Sequence, residues 1–300
     1  MRSEALEVSR NTPISSNAIK RYALLFEMLR SFATLSETLN LSRAVTKLGS
    51  TRQTIRRHIA LLEELKGGAL FTNNERQYAL TPLGRSVLPE ALDLLSQAEA
   101  WVKGESRLVD GLPVLSSVQD DGWFFHQQQH PLLKLHSSES PMLRDLLIAW
   151  VQAGGRVEDP ALTEMRTYAM VFRRSGEQWI FTEVGENSGF AKWFGWKYAR
   201  SVIGRVMAQL PRGASMERLM HSVYHEVEDS GGARYDHIFT VFPHGADQIL
   251  RPLGYERLLL AVQFPDESYA IMSAARPSYD LEIQGVDLGA LRQMPEELLM

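Results

Sequence analysis

Hydrophobic residues recur at helical spacing in three successive stretches between residues 21 and 66. The second stretch stops at Gly49, a common helix terminator, and Ser50 or Thr51 can cap the third. Each set falls on one face of a helix with 3.6 residues per turn, which predicts three consecutive amphipathic helices. The apolar positions, in chain order, are Leu24, Met28 and Phe32; Leu41, Ala44, Val45 and Leu48; and Ile55, Ile59 and Leu62.

The third helix carries its polar residues on the face opposite its apolar stripe. Gln53, Arg56 and Arg57 lie there, close to the start of the helix. Two short helices joined by a tight glycine turn, the second with Gln and Arg directed outward, are what a helix-turn-helix needs to read the major groove. A solvated basic surface is the alternative. The expected base and phosphate contacts are Thr51, Arg52, Gln53, Thr54, Arg56 and Arg57.

A β-hairpin is predicted after the third helix. Two glycines at 67 and 68 lead into short strand candidates at residues 70–72 and 77–80, which the polar residues 73–76 separate. Such a hairpin forms the wing of a winged helix-turn-helix. Arg76, at its tip, is expected to reach the DNA backbone or the minor groove.

The order helix, helix, helix, wing and long helix over residues 20–104 resembles the N-terminal domain of LysR-type transcriptional regulators. The motifs that carry the resemblance are IALLE at residues 59–63, LF at 70–71 and LTPLG at 80–84. The family usually has paired alanines where this chain has Arg43, Ala44 and Val45, a Ser in place of Arg56 and an Arg in place of Asn73. The resemblance implies a winged helix-turn-helix over residues 18–81 that binds double-stranded DNA, but it does not supply the DNA sequence that is read.

A helix of about six turns is predicted over residues 82–104, because Thr81 can cap it and Pro82 suits its first position. Apolar residues follow its length at alternating steps of four and three, which is the spacing of a coiled-coil seam. In LysR-type proteins the matching helix pairs two subunits, so the resemblance implies a homodimer. A helix packed on its own domain is the alternative. The seam comprises Val87, Ala91, Leu94, Ala98 and Trp101.

The second half of the chain does not continue as the repeated strand-helix units of the usual LysR effector domain. Residues 105–137 are expected to be an irregular connecting segment. A helix over PMLRDLLIAWVQA follows, then two strands at 168–173 and 178–184, short helical turns, a longer helix and three further strands. This is the order of a PAS domain, an antiparallel five-stranded sheet with helices across one face.

A PAS-like family common in α-proteobacteria is similar to residues 138–283. The residues that carry this resemblance are glycines and apolar positions, such as Phe194-Gly195, Ile203 to Arg205 and YERLLL at 255–260. It implies a sensory or dimerising module, so the predicted fold class is α+β: an all-α winged helix-turn-helix with a long dimerisation helix, then the PAS-like sheet with flanking helices. Residues 284–300 are expected to be a C-terminal tail.

Aromatic residues near position 195 suggest a ligand pocket between the WFGW turns and the last strands, although aromatic residues at these spacings also form cores. The expected lining is Trp193, Phe194, Trp196, Tyr198 and Arg205. A small-molecule effector or a haem would be the ligand. Two histidine pairs, His126 with His130 and His221 with His225, have a spacing that can share one helical face. Metal sites normally need a third ligand and supporting contacts, so no metal and no resident cofactor are predicted.

Composition and charge narrow the function further. The net charge of −4 hides an asymmetry, because residues 1–105 carry 14 Lys and Arg against 11 Asp and Glu while residues 106–300 carry 18 against 25. This asymmetry suggests a part that faces nucleic acid joined to an acidic part. The absence of cysteine excludes disulfides and thiolate metal sites. No apolar run approaches the ~20 residues of a membrane helix.

The sequence therefore predicts a cytoplasmic, homodimeric, DNA-binding transcription regulator that is not an enzyme. Residues 1–17 read as a disordered tail without a secretory signal. One alternative is a protein–protein adaptor or anti-activator that uses the winged domain as a dimer scaffold without reading DNA. A metal-dependent or haem-dependent enzyme is a second alternative, and it rests on the histidine pairs.

Overall fold

The structure is a computed structural model that describes residues 24–74, 77–102, 104, 106–136, 141–176, 178–210, 212–244 and 249–298. The chain divides between Glu99 and Ala100 into two compact units. The predicted tail at residues 1–17 and Arg76 at the wing tip lie outside the described residues. Within the described chain, no helix has both the length and the apolar character needed to cross a membrane.

The first unit has the predicted order of three helices, a hairpin and a long helix. Met28, Phe32 and Ile55 are fully buried where the first three helices meet, and Leu70 and Phe71 extend this core under the hairpin. The elements are α1 (Leu25–Thr38), α2 (Leu41–Leu48), α3 (Arg52–Lys66), β1 (Phe71–Asn74), β2 (Gln77–Leu80) and α4 (Pro82–Val102).

The second unit is built on one eight-stranded sheet in which all neighbouring strands are antiparallel, in the spatial order β3-β4-β5-β8-β9-β10-β6-β7. The strands are β3 (Ser106–Val109), β4 (Leu112–Val118), β5 (Phe124–His130), β6 (Ala169–Ser175), β7 (Gln178–Val184), β8 (Ala233–His244), β9 (Ile249–Gln263) and β10 (Tyr269–Pro277).

Helices cover both faces of this sheet. Along β9, Leu258 and Leu260 pack with α5 (Pro141–Ala153), while Leu259 and Ala261 belong to the core on the other face. Alternating side chains of one strand point to opposite faces, so the sheet has a core on each side. The second core lies under α6 (Gly189–Phe194), α7 (Trp196–Ser201) and α8 (Gly213–Ser230). Short 3-10 turns lie at Leu132–His136, Pro160–Leu162, Met165–Tyr168, Met207–Gln209, Gly289–Gln293 and Glu296–Leu298.

The prediction of an irregular segment at residues 105–137 is wrong. Three strands, β3 to β5, form there and extend the expected five-stranded sheet to eight. The burial of β5 could not be predicted from its sequence, because several of its buried positions are polar. Gln127 donates to Asp236 Oδ1 at 3.0 Å, and Gln128 Oε1 accepts from the backbone of Gln284 at 2.7 Å. Both glutamines are buried, and these hydrogen bonds offset the cost of burying them.

Residues 284–298 are also not a free tail. Leu291, Met294 and Leu298 are buried against the second unit. Gly254 makes this packing possible, because a Cβ atom there would lie 2.4 Å from Leu291 Cδ2. The tail prediction failed because three scattered apolar residues give no periodicity when the surface that receives them is formed by distant strands.

Candidate nucleic-acid interface and ligand cavity

The start of α3 is fixed by its cap and by its buried stripe. Thr51 Oγ1 accepts a hydrogen bond from the backbone N–H of Thr54 at 3.1 Å, which satisfies a donor that the helix itself leaves unpaired. Ile55 is completely buried, and this sets the rotation of the helix. As a result the predicted contact residues are exposed, apart from a half-buried Thr54: Thr51, Arg52, Gln53, Arg56 and Arg57.

Arg52 links α3 to α2, which the sequence did not predict. Its Nη2 donates to Ser42 Oγ at 2.9 Å. The Asn40 amide oxygen accepts from the backbone N–H groups of Ser42 and Arg43 at 3.0 and 3.1 Å, so it caps α2 at this point. Ser42 and Arg43 are exposed and therefore join the candidate interface. The N-cap signal of Asn40 before an apolar-periodic segment could have identified them.

The histidine in the same basic stretch has a different role. His58 is buried, and its Nδ1 lies 2.8 Å from Ser31 Oγ on α1. Burial and the nearby Arg57 lower the pKa of His58 below its ordinary value, so the ring is neutral at neutral pH. His58 therefore packs α3 against α1, and the arginines alone supply positive charge at the surface of this stretch.

The motifs that resemble LysR-type proteins join the hairpin to the helices. Glu63 Oε1 accepts from the backbone N–H of Leu70 at 2.8 Å, and Thr81 Oγ1 donates to Ala69 O at 2.6 Å. A Cβ at Gly84 would lie 2.2 Å from Leu70 O, so only glycine allows the first turn of α4 to approach the hairpin. These contacts position the wing relative to α3.

The predicted dimerisation seam divides along α4. Ala91 is buried and Val87 is half-buried in the core of the first unit, as the alternative of a helix packed on its own domain requires. Leu94 and Trp101 are instead exposed, Trp101 by 73%, and Ala98 is half-buried. A partner would therefore meet the second half of the helix and not the whole seam.

A cavity of about 150 Å³ lies in the second unit between the sheet and the helices α6 to α8. Trp193, Phe194 and Tyr198, three of the five residues expected at a ligand pocket, line it. Trp196 and Arg205 do not, and this part of the prediction is wrong. Trp196 is 40% exposed and stacks with Arg200, while Arg205 is exposed and uses its backbone oxygen to accept from Phe181 N–H at 3.0 Å. Trp196 follows Gly195 and Arg205 follows Gly204, and both glycines have a positive φ that turns the chain at these points.

The charged network beside this cavity was not predicted from the sequence. Asp236 is fully buried and accepts from Arg234 Nε at 2.9 Å and from Arg257 Nη2 at 2.8 Å. Burial opposes the charged form, yet these two guanidinium groups hold the pKa of Asp236 below its ordinary value. Arg257 also donates to Gln127 Oε1 at 3.1 Å. A buried ion pair of this kind persists when its remaining polar atoms find partners.

The histidine pairs do not assemble a metal site among the described residues, where no group of three His, Asp or Glu has the required arrangement. His126 and His130 lie on a strand and not on a helix. His221 and His225 do lie together on α8, with ring centroids 4.5 Å apart. Burial, His221 and Arg174 lower the pKa of His225 to about 4, so His225 is neutral at neutral pH.

Comparison with known proteins locates a family resemblance in the first unit. Residues 26–85 match the bacterial regulatory helix-turn-helix protein of the lysR family. The HTH-type transcriptional regulator IlvR of Caulobacter vibrioides is 39% identical over 82 residues, which cover 27% of this chain and 28% of that protein. The HTH-type transcriptional activator AllS of Klebsiella pneumoniae is 37% identical over 86 residues, 29% of this chain and 32% of that protein.

Among solved structures, a complex of the CbnR DNA-binding domain with DNA is 26% identical, with a TM-score of 0.26, and covers 26% of this chain and 91% of that one. The chain thus spans about a third or less of the length of the two regulators that it matches. The N-terminal part of this protein, over residues 26–85, is therefore similar to the helix-turn-helix domain of the lysR family.

Proposed function

We propose that this protein is a sequence-specific, DNA-binding transcription regulator with a LysR-type N-terminal domain and a PAS-like sensory or dimerising C-terminal domain. The observation that carries the proposal is the exposed, basic N-terminal half of α3, with Arg52 held against α2. The two regulators that share this domain are described as transcriptional regulators, not as enzymes. DNA is the partner, and a cytoplasmic location belongs to the proposal because the protein must reach the chromosome.

Different parts of the surface have different roles in the proposed complex. Gln53 and Arg56 would contact base edges, since Gln pairs with adenine and Arg with guanine. Arg52, Arg57 and the hydroxyls of Thr51 and Thr54 would hold phosphates, which fix position without specifying sequence. Arg76, predicted at the wing tip, would bind the backbone or the minor groove.

A second surface, on α4, supports dimerisation. Leu94 and Trp101 form an exposed apolar face on α4. Such a face is better explained by contact with a second copy of the chain than by exposure to water. A two-fold dimer would place two α3 helices on one DNA duplex, so the DNA site would consist of two related half-sites.

The topology of the second unit supports a PAS-like domain. The last five strands form one contiguous antiparallel run, β8-β9-β10-β6-β7. Helices α6 to α8, which connect β7 to β8, cover one face of this run and enclose the cavity. The usual LysR effector domain has two α/β lobes, whereas this sheet is single and antiparallel between all neighbouring strands. We place the domain at residues 138–283, with 82–104 as its linker helix and β3 to β5 as an extension of its sheet.

In-vitro selection of bound DNA by the full-length protein, at two salt concentrations, tests the proposed function. The triple variant Arg52→Ala, Arg56→Ala, Arg57→Ala removes the basic face of α3. The matched control removes the same charge from the second unit through the exposed Arg200, Arg218 and Arg292. A two-fold-related site that is lost only in the first variant supports the regulator. A folded dimer that enriches no sequence favours the protein–protein adaptor instead.

A further inference from the structure

We propose that the cavity of the second unit binds a small monocarboxylate with an apolar body, and that Arg257 receives its carboxylate. The inference deepens the proposed PAS-like sensory domain by naming the chemical class of its ligand. Four features carry it: the size and walls of the cavity, the free donor of Arg257, the charge balance around it, and the hydroxyls that share its wall.

The cavity suits a compact apolar body. Its volume of about 150 Å³ matches that of a cavity able to hold one aromatic ring. Aromatic and thioether side chains supply most of the wall, and they favour flat or flexible apolar groups. The side chains of this wall include Phe172, Phe181, Phe190, Trp193, Met170 and Met216.

Arg257 is buried at the wall of this cavity with one donor unpaired. Only 4% of the residue is exposed, and it lies on the same strand face as Leu259 and Ala261, which belong to the core under α6 to α8. Its Nη1 and Nη2 have partners in Met220, Gln127 and Asp236. Its Nε–H has no hydrogen-bond partner among the described residues. A buried donor left unpaired is costly, so a ligand that accepts from Nε–H gains that interaction.

The charge balance favours an anion over a neutral acceptor. Within the described lining of the cavity, Arg257 is the single charged residue. Its carboxylate partner Asp236 is shared with Arg234, so two buried guanidinium groups face one buried carboxylate. Glu226 also pairs with Arg234 at 2.6 Å, but its side chain is 54% exposed, so it lies at the water-facing edge of the buried network. A second carboxylate at Arg257 would form a charge-assisted hydrogen bond.

Three hydroxyl groups share the wall with Arg257. Tyr224, Tyr255 and Ser273 line the cavity, and each of them carries a hydroxyl. Burial raises the pKa of Tyr224 and of Tyr255, so both phenols stay protonated and can donate. One carboxylate oxygen can accept from Arg257 and the other from a hydroxyl.

Binding of two acids and their amides to the full-length protein tests this inference. Isothermal titration and thermal melting would be measured with phenylacetate and octanoate, and with phenylacetamide and octanamide, which keep the shape but lack the charge. At least one acid should bind at least about tenfold more tightly than its amide. Arg257→Met should reduce that preference to about unity. The control Arg276→Met should keep the preference for acid over amide. Side chains alternate between the two faces of β10, so Arg276 lies on the face opposite to the cavity-lining Ser273 and Ala275.

Arg257→Met removes a partner of a buried carboxylate and can fail to fold. Two further variants keep the inference testable. Tyr255→Phe should weaken acid binding several-fold with the melting temperature of the free protein unchanged, and Ala275→Leu should block the cavity and abolish binding of both acids. Equal affinity for acid and amide, unchanged binding in a folded Arg257→Met, or no binding by any of the four compounds would overturn the inference. If the same preparation still selects a DNA sequence, the proposed DNA-binding function holds even though the ligand proposal has failed.

Discussion

The guanidinium group of Arg52 donates to the hydroxyl of Ser42 at 2.9 Å and thereby joins the exposed ends of two helices, α2 and α3, in one surface. Both residues are exposed, so the hydrogen bond contributes little to stability and instead orients a cation. A side chain held in this way loses less conformational entropy when it meets a phosphate.

Ser42→Ala should therefore weaken DNA binding without changing the charge of the surface. We expect a loss of about threefold to tenfold, equivalent to one hydrogen bond of ~1 kcal/mol, on both selected and random duplexes. Fluorescence anisotropy with two labelled duplexes measures it. Ser36→Ala is the matched control, because Ser36 Oγ donates within α1 to Ala33 O. Equal behaviour of the two variants would show that Ser42 does not position Arg52 for DNA.

Mutations of base-reading residues and of phosphate-holding residues should have different effects on DNA binding. Gln53→Ala and Arg56→Ala should relax sequence preference, each by ~1–3 kcal/mol of discrimination at one base pair. Arg76→Ala should weaken binding to selected and random DNA alike. It should also lower the slope of log K against log salt concentration by about one unit. Titrations at several salt concentrations distinguish the two patterns. Equal losses on both duplexes for all three variants would contradict this division of roles.

The two halves of the α4 seam should respond differently to charge. Trp101→Arg and Leu94→Arg, at exposed positions, should dissociate the proposed dimer and leave the melting temperature of the protomer nearly unchanged. Ala91→Arg should instead destabilise the first unit, because it places a cation in a packed core. Sedimentation velocity and thermal melting report the two effects. Val151→Arg, at an exposed apolar position on α5, controls for added charge. A dimer that survives both exposed changes would place the interface elsewhere.

Acid should destabilise the second unit through buried neutral histidines. Burial and the neighbouring His130 and Lys134 lower the pKa of His237 from 6.5 to about 3. The folded state therefore binds this proton less readily than the unfolded state, and stability is lost as the pH falls below 6.5. The free energy of unfolding should decrease by up to ~1.4 kcal/mol per pH unit for this group between 6.5 and about 3.

Urea unfolding at pH 7.5, 6 and 5 measures that slope. His237→Asn keeps an acceptor for the Glu282 N–H but does not titrate, so it should be less stable at pH 7.5 and less sensitive to acid. His136→Asn, at an exposed position, should retain the wild-type slope. A slope that His237→Asn leaves unchanged would assign the acid sensitivity to other groups, of which His225 is the first candidate.

Gly84→Ala should loosen the junction of wing and helix. The added methyl would lie 2.2 Å from Leu70 O, so the backbone must shift, at a cost of ~1–3 kcal/mol. Gly68→Ala meets only the flexible end of Leu83, at 3.0 Å, and should cost less. Hydrogen exchange of the α3 amides in the full-length protein compares the two. Equal protection in both variants would contradict the close approach at Gly84.

The first unit could be predicted from the sequence because its determinants are local. Apolar spacing places α1 to α3, and the cap at Thr51 and the turn at Gly49 set the ends of two of them. The exposure of Arg56 and Arg57 then follows from the buried position of Ile55 on the same helix. His58 was the exception in this stretch, since its burial depends on Ser31 of another helix.

The second unit shows what a local pattern leaves undetermined. The strand over FFHQQQH has buried polar residues whose partners are 109 and 156 positions away, so its sequence alone resembles a polar loop. Arg257 on β9 is buried because Asp236 on the adjacent β8 and Gln127 on the next strand, β5, accept its hydrogen bonds, and not because of its sequence neighbours. The sequence itself determined which segments form helices and hairpins, through short-range periodicity and capping. Only the tertiary structure decided which polar residues enter the core, because a buried charge is stable only where distant strands bring its partners to it.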